Sequence, residues 1–340
     1  MSFFKDFFGI FFGPKDEVKK TDIARRFDLI ARTGQGSMSK VWRARDSFSG
    51  RVVALKVLDY DKTQRLESRF VGMDKPTEGE IAITLKHPNI VQTLEHGITT
   101  DDEQFLVMKF IEGISLTFLI DVQNDLMKAK RLHFVIQLGE AIEYVHQQNW
   151  IHRDICPRNV LIADEDHTVK LIDFGLLVPN TQAFQAPGNR TGTAMYMAPE
   201  LIKRQRTDQR IDIFSYAVTC YEMYTKRFPW EGGETLEMVL QHINTPPENI
   251  RTFCPEIDDQ VADAIMRGLK SHPDDRWSTI SDMLVPLREA HARLGIPKIQ
   301  PKAKGTEAWR AAVTEASDVA KPAASKPDEW MFRPTDNNPS

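Results

Sequence analysis

Cysteine is scarce in this sequence, with three among 340 residues: Cys156, Cys220 and Cys254. The number is odd and the spacings are not those of zinc ligands, so we expect neither a disulfide framework nor a zinc site. Few and unpaired cysteines suit a reducing compartment, and the cytoplasm is the expected location.

Long apolar runs and an excess of basic charge are also missing. No run approaches the roughly 20 apolar residues of a spanning helix, and the N-terminus has neither the basic start nor the cleavable end of a secretory leader. The net charge is -4, with both signs interleaved along the chain. We therefore expect no nucleic acid partner, because phosphate backbones select clustered Lys and Arg. With 41% hydrophobic and 27% charged residues, the chain has the composition of a soluble globular protein.

The first twelve residues, by contrast, are rich in phenylalanine. The phenylalanines lie in pairs four residues apart, which places them on one face if the segment is helical. This stripe could dock onto the protein's own small lobe, onto a membrane interface as a peripheral contact, or into a partner groove. It consists of Phe3, Phe4, Phe7, Phe8, Phe11 and Phe12.

The N-terminal third shows strand patterns around one helix. Apolar and polar residues alternate from Phe27 to Leu58, which predicts three antiparallel strands. A helix is predicted from Pro76 to Leu85 with Asp74 as its cap, followed by strands at Ile90 to Leu94 and Phe105 to Ile111.

Beyond Gly113 the apolar residues recur at helical spacing, and the stretch from Ile211 to Met223 is apolar almost all round, as in a buried central helix. The sequence therefore predicts an α+β protein with a small β-rich lobe and a larger helical lobe. We assign residues 1–20 to the phenylalanine-rich segment, 21–111 to the small lobe, 112–295 to the large lobe and 296–340 to a largely disordered tail. The helical repeat that supports the large lobe consists of Phe134, Leu138, Ile142 and Val145.

Oxygen-bearing side chains follow or precede short apolar runs in the middle of the chain. Asp154, Asn159 and Asp173 are of the kind that Mg²⁺ prefers together with substrate phosphates. A glycine-containing loop lies upstream, followed by Lys56 on a predicted strand. Glycines let backbone N–H groups approach phosphate oxygens, and the lysine adds positive charge. The loop consists of Thr33, Gly34, Gln35, Gly36, Ser37, Met38, Ser39, Lys40 and Val41.

Together with His152-Arg153-Asp154, Asp173-Phe174-Gly175 and Ala198-Pro199-Glu200, these features stand in one order along the chain. From about Phe27 to about Leu287 the chain resembles the eukaryotic-type protein kinase family. The segment 192–200 and Pro157 are similar to the serine/threonine form of that family. The resemblance implies the two-lobed kinase fold, ATP and Mg²⁺ as cofactors, and a protein substrate with a Ser or Thr acceptor.

The resemblance also implies roles for individual residues. Lys56 would bind the α- and β-phosphates and be held by a helix glutamate, for which Glu78 is preferred and Glu80 is the alternative. Asp154 would accept the proton of the substrate hydroxyl, and Thr193 would bridge toward Asp154. Asn159 and Asp173 would hold the metal. The adenine slot and its connecting strand would consist of Val41, Ala54, Met108, Lys109, Ile111 and Leu161.

One departure from the family pattern bears on activity. Cys156 stands where serine/threonine kinases carry a lysine that neutralises the transferring phosphate, and a neutral thiol cannot supply that charge. Arg158 is the expected replacement, at a position where tyrosine kinases of the family place an arginine. The alternative is a pseudokinase, a nucleotide-binding scaffold with little transfer.

Further residues match the family in supporting roles. Glu200 and Arg276 are expected to form a buried ion pair, and Asp212 to anchor the loop at Asp154. Arg153 indicates control by a phosphate on the activation segment, residues 176–197, with Thr181 and Thr191 as candidate acceptors.

Overall fold

The computed structural model describes residues 20–35, 38–188, 191–230 and 241–295. The phenylalanine stripe, Gly36, Ser37 and the tail from residue 296 lie outside these residues. The predictions made for them therefore stay predictions.

A five-stranded sheet forms the small lobe. Its strands follow the order β1-β2-β3-β5-β4, and every neighbouring pair is antiparallel. Val53, Leu55 and Val57 alternate along β3 and bury their side chains in one cluster with Phe105 and Val107 of β5. The predicted three strands between Phe27 and Leu58 are present. The strands are β1 Phe27–Gln35, β2 Ser39–Asp46, β3 Val52–Leu58, β4 Thr93–Ile98 and β5 Gln104–Lys109.

The helix predicted from Pro76 to Leu85 in the small lobe is shorter than expected. It spans Glu78–Ala82, and we call it the glutamate helix. The predicted cap, Asp74, is wrong: Thr77 caps the helix and forms a capping box with Glu80. A Thr-x-x-Glu box satisfies backbone donors at both of its ends, which a residue three positions earlier cannot do.

The strand predicted from Ile90 to Leu94 is displaced along the chain, since the observed strand is Thr93–Ile98. Ile90 makes only an isolated bridge to Leu171, and the Val91 N–H donates to the Leu171 carbonyl at 2.9 Å. This apolar run is therefore buried against a strand of the large lobe, while the sheet strand begins at Thr93. Burial alone produced the strand-like pattern, since a short apolar run does not identify its partner.

Helices dominate the large lobe, as predicted. The four residues of the predicted helical repeat are buried in one long helix, and the stretch from Ile211 to Met223 lies in a buried central helix. The Tyr216 hydroxyl joins the two by donating to the Val135 carbonyl at 2.7 Å. The helices are Leu116–Val122, Asp125–Gln147 (the long helix), Pro199–Ile202, Arg210–Thr225 (the central helix), Asp259–Gly268 and Ile280–Arg293, with Ile23–Arg26 and Tyr60–Glu67 in the small lobe.

Two small sheets position the loops of the site. β8 (Val160–Ala163) pairs with β6 (Gly113–Ser115) and β9 (Val169–Leu171), and β7 (Trp150–Ile151) pairs with β10 (Val178–Pro179). The catalytic loop, residues 152–159, therefore connects β7 to β8, and Asp173 lies just after β9.

This architecture is the predicted α+β, two-lobed kinase fold. No helix among the described residues is both long and apolar enough to cross a bilayer.

Candidate active site

The catalytic loop is anchored by Asp212, near the start of the central helix. Its carboxylate is fully buried and accepts the backbone N–H groups of His152 at 2.7 Å and Arg153 at 2.8 Å. His146 Nε2 lies 2.9 Å away, a contact that sequence reasoning missed. Burial alone would raise the pKa of Asp212, but the hydrogen bond and charge of His146 and the bond from the His152 N–H lower it. These bonds hold Arg153 at φ +69°, a conformation that costs free energy in a non-glycine residue.

Asp154 is held from two sides. Asn159 Nδ2 donates to the Asp154 carbonyl at 2.9 Å and to Oδ2 at 2.8 Å. The Thr193 N–H and hydroxyl donate to Oδ1 at 2.9 and 2.5 Å. The predicted bridge from Thr193 is therefore present, and it joins the activation segment to the catalytic loop. With each oxygen of Asp154 engaged, the carboxylate has a defined orientation.

Lys56 joins the two lobes through its ammonium group. Nζ lies 2.6 Å from Glu78 Oε1 and 2.8 Å from Asp173 Oδ1. Burial would lower the pKa of Lys56, but the charges of Asp173 and Glu78 raise it overall, so the lysine stays charged. The ion pair is made by Glu78, while the side chain of Glu80 is engaged in the capping box.

Asp173 is the most exposed of these three charged residues. Its side chain is 41% exposed, compared with 6% for Lys56 and 7% for Glu78. Desolvation would raise the pKa of Asp173, but the Lys56 charge and the bonds from Lys56 and the Gly175 N–H lower it overall. An exposed carboxylate beside two buried charges is available to a ligand that enters the cleft.

Asn159 and Asp173 are brought together through the backbone. The N–H of Ile172, which precedes Asp173, donates to the Asn159 carbonyl at 3.0 Å. The Asn159 side chain donates through its nitrogen only, so its amide oxygen remains as an acceptor. Among the described residues, no cluster of three or more His, Cys, Asp or Glu side chains could hold a metal alone. Two protein oxygens completed by phosphates and water are the ligand set that suits Mg²⁺.

The residues predicted for the nucleotide lie around β1, β2, β3 and β5. Gly34 pairs with Val41 and Gln35 with Lys40, so the predicted loop is the connection between β1 and β2. Val41 is opposite Lys56, and Ala54 is opposite Met108. Met108 is buried, whereas Val41, Ala54 and Leu161 are only half-buried in an otherwise packed region. Leu161 lies in the other lobe, on β8. The remaining predicted positions, Thr33, Met38, Ser39, Lys109 and Ile111, are exposed or half-buried.

Cys156 and Arg158 differ sharply in their surroundings. Cys156 is 1% exposed, and burial together with the Asp154 charge raises the pKa of its thiol to about 12. The Arg158 side chain is 62% exposed, donates from Nη2 to Thr193 Oγ1 at 2.5 Å, and lies 3.6 Å from Asp154 Oδ2. The loop therefore has a neutral thiol at one position and a cation beside Asp154 at the other.

The activation segment reaches the small lobe through a residue that sequence reasoning missed. The Phe184 ring packs on Phe70 at 5.7 Å between centroids, and the Phe184 carbonyl accepts from Arg153 Nη2 at 2.7 Å. Burial lowers the pKa of Arg153 to about 10, and its Nε and Nη1 have no partner among the described residues. A single phenylalanine in a polar segment has no periodicity, so no sequence pattern marked it.

The supporting contacts predicted from the resemblance are present. Arg276 Nη1 and Nη2 each lie 2.7 Å from a carboxylate oxygen of Glu200, and both residues are buried. His152 and Phe174 are each 1% exposed, and their rings meet edge to face at 5.7 Å.

Comparison with known proteins agrees with this geometry. The sequence model of the protein kinase domain family matches residues 27–286. A protein named as a probable serine/threonine-protein kinase of Clostridium perfringens is 30% identical over 273 residues, which cover 78% of this chain and 38% of that protein. The serine/threonine-protein kinase PrkC of Bacillus subtilis is 28% identical over 79% of this chain and 41% of its own length. PknB of Mycolicibacterium smegmatis, also named a serine/threonine-protein kinase, is 27% identical over 92% of this chain and 50% of its own length.

The chain thus spans half or less of the length of these relatives. The family match covers both lobes and every residue of the site described above. This chain belongs to the protein kinase domain family.

Proposed function

We propose that this protein is a Mg²⁺- and ATP-dependent serine/threonine protein kinase, which transfers the γ-phosphoryl group of ATP to a Ser or Thr hydroxyl of a protein substrate. One observation carries the proposal: Lys56 is held between Glu78 and Asp173 while Asp154 is held by Asn159 and Thr193. This arrangement supports the proposal, because the residues proposed to bind the phosphates and the residue proposed to orient the hydroxyl are each held by defined partners.

Phosphoryl transfer requires positioning and charge cancellation more than covalent chemistry from the protein. Lys56 would donate to the α- and β-phosphates, and Glu78 keeps its ammonium at the required place. Asp154 would orient the substrate hydroxyl and accept its proton. The half-buried Val41, Ala54 and Leu161, with Met108 behind them and the backbone from Lys109 to Ile111, would hold the adenine.

Asn159 and Asp173 would hold the magnesium ion through the amide oxygen and the exposed carboxylate. When bound, the ion neutralises phosphate charge and orients the terminal group. Thr193 connects this catalytic loop to the segment 192–200, which is similar to the peptide-binding platform of serine/threonine kinases. A protein acceptor with Ser or Thr is therefore the proposed substrate, rather than a small molecule.

Replacing Lys56 by Met should lower kcat/KM for ATP by about 10²-fold, because a buried, charged phosphate donor is lost. Transfer of radiolabelled phosphate to a generic basic or acidic protein measures this. Lys128→Met, which changes an exposed lysine of the long helix, is the matched control and should transfer at the wild-type rate. Equal incorporation of radiolabelled phosphate by wild type and Lys56→Met would indicate a contaminating kinase and contradict the proposal.

The competing function is a nucleotide-binding scaffold with little transfer. Its support is the neutral Cys156 thiol in place of the family's lysine. Tight binding of a fluorescent ATP analogue without transfer in the radiolabel assay would establish it.

Arg158 is proposed to supply the charge that Cys156 lacks. Its guanidinium lies at the entrance of the site, bonded to Thr193 and 3.6 Å from Asp154, and it is exposed enough to reach an incoming phosphate. We expect Arg158→Ala to lower kcat by about 10²-fold with little change in KM for ATP, and Arg158→Lys to retain much of the rate.

Arg65→Ala, which removes an exposed arginine from the Tyr60–Glu67 helix, controls for loss of surface charge. Unchanged turnover in Arg158→Ala with intact nucleotide binding would show that Arg158 is a surface residue only.

Regulation by phosphorylation and the cellular location are also proposed. Two buried Arg153 nitrogens without a described partner support the expectation of a phosphate on the activation segment, with Thr181 or Thr191 as acceptor. Mass spectrometry of protein incubated with ATP would locate any phosphate on residues 176–197.

The three cysteines are free, which supports the reducing compartment of the cytoplasm. The phenylalanine stripe is the proposed docking segment, and the small lobe, a membrane interface and a partner groove are its open alternatives.

A further inference from the structure

The glutamate helix lies unusually close to β4 at one position, Gly79. A Cβ added to Gly79 would lie 2.6 Å from His96 Cβ, 2.7 Å from Cγ and 2.9 Å from Nδ1. Contacts below 3.0 Å are essentially never seen for real Cβ atoms. His96 Cβ is bonded directly to the strand backbone, so rotation of the imidazole would not relieve the contact with this atom. Any side chain at residue 79 would therefore push the helix away from the sheet.

Backbone conformation does not explain this glycine. Gly79 lies inside the helix and is not among the glycines with positive φ. Glycine within a helix costs about 1 kcal/mol relative to alanine. The local helix would thus be more stable with alanine, and the close approach to His96 is the reason that remains for glycine.

This close approach affects the position of Glu78, the residue that precedes Gly79. The helix has five residues, so a displacement at Gly79 cannot be absorbed over further turns. Glu78 Oε1 lies 2.6 Å from Lys56 Nζ, and a Cβ on Gly175 would lie 3.1 Å from Glu78 Oε2. Glu78 is therefore placed between two glycines, one that sets the depth of its helix against β4 and one that leaves room for its carboxylate.

We propose that Gly79 is a positioning residue, which acts with His96 to set the distance between Glu78 and Lys56. The inference rests on the proposed function, because Lys56 is assigned to the phosphates of ATP. Gly79 and His96 form a matched pair: the missing side chain on the helix makes room for the imidazole on the strand.

A double-mutant cycle tests this pair. Gly79→Ala, His96→Gly and the double variant are compared with wild type for kcat and KM for ATP, and for thermal unfolding. Displacement of a positioned group by about 1 Å can cost about 10²-fold in rate. We expect Gly79→Ala to lower kcat/KM at least tenfold, His96→Gly, which removes Cβ as well as the ring, to lower it less, and the double variant to regain most of the loss.

The outcomes separate this proposal from the proposed function. Rescue by His96→Gly identifies steric positioning, since a generally unstable Gly79→Ala protein would not be restored by a second truncation. Wild-type kinetics in Gly79→Ala, or no rescue in the double variant, overturns the proposal. If the wild-type protein transfers no phosphate, the proposed function fails, and the same cycle is evaluated on the affinity for a fluorescent ATP analogue with Mg²⁺. In that assay, a loss of affinity in Gly79→Ala that the double variant regains supports the matched pair. No loss of affinity in Gly79→Ala, or no regained affinity in the double variant, overturns it.

Discussion

Asp154→Ala should reduce phosphoryl transfer by about 10³-fold, within the range observed when a positioned acid or base is removed. Three hydrogen bonds from Asn159 and Thr193 reach the carboxylate and hold it in one orientation, and the catalytic loop contains no other carboxylate that could replace it. Asp154 is assigned to the acceptor hydroxyl and not to the nucleotide. The loss should therefore appear in kcat, while the affinity for ATP stays within about threefold of wild type.

The radiolabel assay gives the rate, and titration with a fluorescent ATP analogue gives the affinity. Glu165→Ala is the control, because Glu165 is an exposed carboxylate in the turn between β8 and β9. Asp154→Asn is a second variant that keeps the shape of the side chain but cannot accept the proton. Substantial transfer by Asp154→Asn would contradict the assigned role, whereas loss of nucleotide binding in both variants would indicate a structural defect.

Glu200→Ala should lower the free energy of unfolding by about 3–5 kcal/mol, the cost of leaving one member of a buried ion pair without its partner. Arg276 has no exposed side-chain surface, and its guanidinium also donates to the carbonyls of Lys270, Ser271 and Arg210. Without Glu200, the buried positive charge keeps only these neutral acceptors.

Urea unfolding monitored by tryptophan fluorescence measures this loss. Arg288→Ala is the matched control: its pairs with Glu140 and Glu143 are partly exposed, with 43% of the Arg288 side chain accessible, and should contribute no more than about 1 kcal/mol. A variant with Glu200→Gln keeps the volume and some hydrogen bonds and should fall between wild type and Glu200→Ala. A loss in Glu200→Ala no larger than that of Arg288→Ala would show that the pair contributes little net stability.

Some elements were predictable because their signals are local. The strands from Phe27 to Leu58 and the helix around Ile211 to Met223 follow from the spacing of apolar residues, which is a property of one segment. The helix start was predicted at the wrong residue although its signal was also local: Thr77 and Glu80 form the capping box, and the proline at 76 drew the prediction too early. The strand predicted at Ile90 could not have been placed correctly from nearby residues, because the partner of Ile90 is Leu171 in the other lobe.

The sequence by itself determined the family, the order of the motifs and the residue types of the site, since these depend on spacing along the chain. Only the tertiary structure decided which groups meet: Glu78 and not Glu80 at Lys56, Arg158 at Thr193, Phe184 at Phe70, and His96 against Gly79. The physical reason is separation. Lys56 and Asp173 are 117 residues apart and bond at 2.8 Å. Such contacts depend on how strands and helices pack, and no local pattern contains that information.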